Sequence, residues 1–185
     1  MKEADNENGN SCPTTIRSFN VSKALVVPVT KHKKCRSLDN LKAIKETLTK
    51  VCPEFCSSRG CYIFAIRNGK GSTPIYVGRT RKQTLLKEAF SPDKCNKINV
   101  ALMDCLKGTL TITFLASEAL GKNVPQTVIN ELEEWLIKKA YRRNRNLINI
   151  RGRGVLRWAI DGVVRSGKGA PTNESKALKR LLGLR

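Results

Sequence analysis

The chain has 185 residues, with 35 Lys and Arg against 15 Asp and Glu and a formal net charge of +20. Its 40% hydrophobic content suffices for a single core, which predicts one domain with appendages. No stretch is long and apolar enough to span a membrane and no leader precedes a cleavage site, so the expectation is a soluble cytoplasmic protein without a membrane partner.

The charge is uneven. Residues 138–185 carry 14 Lys and Arg against Asp161 and Glu174 alone. A field of this sign captures polyanions, and nucleic acid is the partner it fits best. The seven cysteines (Cys12, Cys35, Cys52, Cys56, Cys61, Cys95 and Cys105) are odd in number and irregularly spaced. They read as free, mostly buried thiols in a reducing compartment.

Taken in order, residues 1–20 are polar and without periodicity. Val21 to Thr30 is apolar enough for an added strand, with Pro28 marking an edge. Ser37 is placed to cap a helix with Leu41, Ile44, Leu48 and Val51 on one stripe, ending at Pro53. Together, residues 1–57 form an N-terminal extension.

Gly60 to Ile66 and Pro74 to Thr80 are short apolar runs bounded by Gly or Pro, and each predicts a buried strand. The segment between them, with Asn68-Gly69, predicts a hairpin turn. Such a hairpin can make Tyr62 and Tyr76 neighbours while keeping their phenols at a wet surface. Gly78, lacking a Cβ, admits a close approach by backbone or phosphate.

A short helix is expected from near Thr84, and a second from Asp93 to Leu106 with Ile98, Ala101, Leu102 and Cys105 inward. Thr109 to Phe114 alternates as a third strand with Leu110, Ile112 and Phe114 on one face. The strongest helix runs from about Gln126 to Arg143. At roughly 100° per residue, Val128, Ile129, Leu132, Trp135, Leu136, Ile137 and Ala140 form an apolar arc, and Glu133 falls inside it. A carboxylate facing a core is costly unless paired, protonated or bound to a cation. The residues alone favour a structural ion pair for Glu133.

The two tyrosines and the order of elements resemble the GIY-YIG nuclease family over roughly residues 58–150. Gly60-Cys61-Tyr62 stands for the first motif, with Cys in place of Ile. Tyr76-Val77-Gly78 stands for the second, with Val in place of Ile. Glu133-Glu134-Trp135-Leu136-Ile137 is similar to the family's Glu-x-x-Leu-Ile. The resemblance implies an α+β core with a small three-stranded antiparallel sheet flanked by helices. It also implies an endonuclease that hydrolyses DNA phosphodiesters, of restriction, defence or mobile-element type.

On this resemblance Glu133 would hold one divalent cation, Mg²⁺ first and Mn²⁺ second; a hydrated Mg²⁺ needs few protein ligands. Tyr62 would be the general base, which requires a lowered phenol pKa, and Tyr76 would orient the water. The family's active-site Asn would be Asn149, then Asn146, with Asn144 also in competition. The family's Arg has no clear counterpart: Lys87 stands near its place, and Arg81 and Arg79 rank ahead of Lys87 and Lys94. A double-strand break usually needs two active centres, which fits a homodimer. The alternative is a non-catalytic nucleic-acid-binding protein on the same scaffold.

Residues 151–185 form a basic C-terminal extension. Arg151 and Arg153, interleaved with Gly, and Trp158 suit backbone contact and stacking. With Lys87, Lys94, Arg142, Arg143 and Arg145 they make up the candidate nucleic-acid contacts. A last helix, about Thr172 to Leu182, would turn Ala177, Leu178, Leu181 and Leu182 inward, so that the extension could equally pack on the core.

Overall fold

The structure, a computed structural model, describes residues 17–31, 35–69, 71–103, 107–117, 124–148, 158–164 and 171–184. Among them no helix is long and apolar enough to cross a membrane.

The architecture is α+β. The three expected strands are β5 (Gly60–Asn68), β6 (Gly71–Arg79) and β7 (Thr109–Ser117), all antiparallel, with β5 in the middle of the three. The sheet is larger than the expected three strands: it has six, in the order β6-β5-β7-β1-β8 with β2 also on β7. β1 (Arg17–Val21) and β2 (Leu25–Val26) pair antiparallel with β7 at different heights, and β8 (Trp158–Ile160) lies parallel to β1. Both extensions therefore contribute strands to the central sheet. These strands are two to five residues long, too short for a readable alternation, and non-local pairing defines them.

Val21 to Thr30 is not one strand. β1 ends at Val21, β2 follows, and β3 (Thr30–Lys31) pairs separately with β4 (Arg36–Ser37). Helix α1 (Leu41–Val51) is capped by Asn40, whose side chain accepts from the Ala43 N–H at 3.1 Å; Ser37 is used in β4 instead. Ile44 and Leu48 are buried, whereas Val51 is exposed at the helix end. A short α2 (Pro53–Ser57) leads into β5.

The turn between β5 and β6 is tighter than expected: pairing continues to Asn68 opposite Gly71, and Gly69 takes a positive φ of 54°. After β6 come α3 (Leu85–Ala89) and α4 (Pro92–Met103). Following β7, α5 (Gln126–Arg143) has the expected bounds, and α6 (Asn173–Leu182) is capped by Thr172. In α6 Leu178, Leu181 and Leu182 are buried, but Ala177 is exposed.

The sheet separates two cores. On one face Tyr62, Phe64, Ile66, Tyr76, Leu110, Ile112 and Phe114 pack under α1–α4. On the other Cys61, Ile63, Ala65, Val77 and Leu115 pack under α5 and α6. Strand alternation sends neighbouring residues of β5 to opposite cores. The cysteines among the described residues, Cys35, Cys52, Cys56, Cys61 and Cys95, are free.

Candidate active site

Tyr62 and Tyr76 share one face of the hairpin, yet they are not opposite each other. Tyr62 is paired with Gly78 and Tyr76 with Phe64. The rings are diagonal neighbours, with centroids 6.2 Å apart and planes inclined by 42°. The Tyr62 phenol lies over Gly78, where a Cβ would come within 2.7 Å of Cε2 and closer still to Cζ and the hydroxyl. Only glycine leaves that space.

The expected wet phenols are instead buried. Tyr62 is 0% exposed and Tyr76 5%. The Tyr62 hydroxyl has no hydrogen-bond partner among the described residues. Burial pushes the Tyr62 phenol far above the ordinary tyrosine range, with Tyr76, Glu88 and Glu133 adding to the effect. Tyr76 is pushed up to about 12, chiefly by burial, with Lys97 pulling the other way and Glu133, Asp93 and Glu88 raising it. The lowered phenol pKa required of a tyrosine base is absent: both groups are neutral phenols in the free protein. Helices α3 and α4 cover both rings, and desolvation outweighs the pull of Lys97 on Tyr76.

Glu133 approaches from the other side. β6 is an edge strand, so groups from both faces can meet around it. α5 runs antiparallel alongside: Gln126 Nε2 donates to the Thr80 carbonyl at 3.0 Å near its start, and Asn144 Nδ2 donates to the Pro74 carbonyl at 2.8 Å at its end. The segment after α5 then covers the strand edge, the Ile148 N–H donating to the Ile75 carbonyl at 3.1 Å. Pro74, which has no N–H to offer, is tolerated on this edge.

Arg79 directly follows Gly78 and, by alternation, points with Val77 toward α5. Its Nη1 donates to Glu133 Oε2. The pair is half-open to solvent, with Arg79 25% and Glu133 16% exposed as side chains. Burial holds Glu133 above the usual carboxylate range, opposed by Arg79 first and then by Arg81 and Lys94. Its field reaches Tyr62, Tyr76 and the buried Cys61. Two phenols, a carboxylate and a guanidinium thus share one electrostatic neighbourhood, and the ion pair expected from the residues alone is the contact that forms.

The other candidates divide by position. Arg81 is exposed in the loop after β6, within the field of Glu133. Lys94, on the first turn of α4, donates to Asp93 at 2.6 Å and also reaches Glu133 electrostatically. Lys87 is exposed on α3. Arg142, Arg143 and Arg145 are exposed at the far end of α5. Asn144 is the C-cap of α5, and the N–H of Asn146 donates to the Asn144 side chain in a turn. Asn149, Arg151 and Arg153 lie outside the described residues, as does the side chain of Trp158.

Several contributors were not singled out from the sequence. Arg59 Nη2 donates to the Arg81 carbonyl and to Gln126 Oε1, both at 2.7 Å, which ties the loop after β6 to α5. The Gly60 N–H donates to Thr80 Oγ1 at 3.0 Å and supports the same loop. Lys97 and Glu88 set the field at the tyrosines. The one readable hint was Asp93 four residues before Lys97, a helical pair on the predicted second helix.

No protein-family model matches this chain, and no curated protein or solved structure matches it.

Proposed function

We propose that the protein is a metal-dependent endonuclease of the GIY-YIG type acting on DNA. The observation that carries this reading is that the Tyr62 ring lies over Gly78 beside Tyr76, while Arg79, the next residue on the same strand, holds Glu133 from the opposite face. These groups come from residues far apart in sequence and from both faces of the sheet. A purely structural cluster has no need of a phenol hydroxyl buried without a partner.

The metal was assessed from the donor set. No group of three or more His, Cys, Asp or Glu could hold an ion among the described residues. Glu133 offers one carboxylate, surrounded by Arg79, Arg81 and Lys94. Such a site fits a cation that keeps most of its water, and fits it best once a phosphate has offset the neighbouring positive charge. When bound, a hydrated Mg²⁺ would neutralise charge at the phosphate and the leaving oxygen.

The protein's own groups then have defined roles. Arg79 moves its guanidinium from Glu133 to the non-bridging phosphate oxygens, a planar fork suited to that contact. Arg81 and Lys94 add positive charge at the same position. Tyr62 and Tyr76 are buried neutral phenols in the free protein, so orienting the attacking water by hydrogen bonding requires substrate binding to part α3 and α4 from the hairpin. Tyr62 accepts a proton only if substrate binding brings positive charge to its hydroxyl.

One observation favours the second reading, a non-catalytic DNA-binding protein on this scaffold. Arg79 already satisfies Glu133, while Lys87, near the place of the family Arg, is exposed. Nicking of supercoiled plasmid separates the two. The nuclease reading expects Mg²⁺-dependent nicking that is lost in Glu133→Ala. Duplex binding without any nicking by the unmutated protein would establish the second reading.

A further inference from the structure

Eight cations lie on and just after the C-terminal half of α5 and on α6, away from the candidate active site, with Glu134 one turn before Lys138 and Glu174 two residues before Lys176 as the nearest carboxylates in sequence. Residues 135–148 contain Lys138, Lys139, Arg142, Arg143 and Arg145 and no Asp or Glu; residues 175–184 contain Lys176, Lys179 and Arg180 and again no Asp or Glu. The two segments are distant in sequence but adjacent in space. α5 and α6 share a core through Tyr141, Leu178, Leu181 and Leu182. A Cβ on Gly183 would come within 3.7 Å of Arg143 Cδ, which places the end of α6 against the last turn of α5.

Arg142, Arg143, Arg145, Lys176 and Arg180 are exposed, and none of the five is ion-paired among the described residues. Complementing the two helix dipoles needs only one or two cations at each C-terminus. The surplus repels itself and costs stability unless a polyanion occupies the face. Two cations also sit over aromatic rings, Arg145 over Tyr141 at 5.0 Å and Lys139 over Trp135 at 5.5 Å. This limits the freedom each loses on binding.

We infer that the joint surface of α5 and α6 is a second contact for the sugar-phosphate backbone of duplex DNA, separate from the cleavage centre. The choice of DNA rests on the proposed nuclease reading. Asn144 fixes the basic end of α5 to Pro74, whereas Glu133 meets Arg79. Pro74 and Arg79 are five residues apart on β6, roughly 17 Å at about 3.4 Å per residue. Phosphates along one strand of B-DNA advance by about 3.4 Å. The contact therefore lies roughly 17 Å from the Glu133–Arg79 pair, a span of about five base pairs where the duplex runs along β6, and it needs no base-edge readout.

The test is fluorescence anisotropy with a 30-base-pair duplex across a salt series. It compares the unmutated protein, the triple variant R142Q/R143Q/R145Q, the double variant K176Q/R180Q and E133Q. Thermal unfolding of each verifies that the fold is kept. Each cation in phosphate contact contributes about 0.9 to the slope of log K against log salt. If all three arginines make contact, the triple variant should lower that slope by about 2.7. The affinity loss between about 50 and 200 mM salt then becomes about 40-fold smaller. E133Q, which releases Arg79 for phosphate contact, should not lower the slope. Wild-type slope and affinity in both basic variants would overturn the inference. So would loss of binding to phosphatidylserine vesicles, but not to the duplex, in those variants. Failure of the unmutated protein to nick plasmid would count against the nuclease reading alone.

Discussion

Arg79 and Glu133 form an ion pair across the edge of the sheet, joining the residue after Gly78 to the middle of α5. The carboxylate would otherwise face an apolar arc of α5, and the guanidinium would face Val77 and the same core. Neither burial is tolerable alone. The pair therefore stabilises the packing of α5 on β6, and it also restrains the groups that the nuclease reading needs to move.

Replacing Arg79 by Met frees the Glu133 carboxylate and removes one competing positive charge. We expect Mn²⁺ binding without DNA, read by the loss of the free-ion paramagnetic resonance signal, to be weaker in the unmutated protein than in Arg79→Met. The same variant should lose plasmid nicking. Equal Mn²⁺ affinity in both proteins would argue against Glu133 as the ligand. Leaving the half-buried partner unpaired should cost about 1–3 kcal/mol in urea unfolding.

Tyr62→Phe removes a buried hydroxyl that has no partner. A hydroxyl desolvated without compensation is destabilising, so the variant should be as stable as the parent or more stable, by up to about 1 kcal/mol. Nicking should fall sharply at the same time. A clear loss of stability, measured by urea unfolding, would show that the hydroxyl makes a structural bond.

Gly78→Ala places a methyl group in the space of the Tyr62 ring. The backbone and the ring are both packed, so relief requires the ring to leave its position. Overpacking of this kind costs about 1–3 kcal/mol. The double variant Gly78→Ala/Tyr62→Phe should recover little, because the ring and not only the hydroxyl is in the way. Gly71→Ala is the control. A Cβ there meets only the Asn68 carbonyl at 3.8 Å, so its effect should be small.

The phenols predict alkaline sensitivity. Tyr76 has a folded pKa raised to about 12, above the ordinary tyrosine value of about 10, and Tyr62 is raised further. The folded state therefore holds these protons more tightly than the unfolded chain. That stabilisation is fully present below about pH 10 and is lost as pH rises through the folded values. Urea unfolding between pH 9 and 12 should show a steeper decline in the parent than in a Tyr62→Phe/Tyr76→Phe variant. Parallel declines would place both phenols in contact with water.

Much of the fold was legible in the sequence. Alternation in Thr109 to Phe114 and the apolar runs around Tyr62 and Tyr76 marked the three main strands. The period of α5 gave its bounds and singled out Glu133 as the residue out of place on its face. Local periodicity determines these features because backbone geometry fixes which side chains share a face. It could not show that β1, β2 and β8 extend the sheet, since short strands are defined by the partners they pair with. Nor could it separate Arg79 from Arg81, or show that burial keeps Tyr62 and Tyr76 neutral. Those outcomes depend on an edge strand around which two faces meet, and on helices that shut water out. Desolvation and charge pairing are properties of that assembled space, and tertiary packing alone decided them.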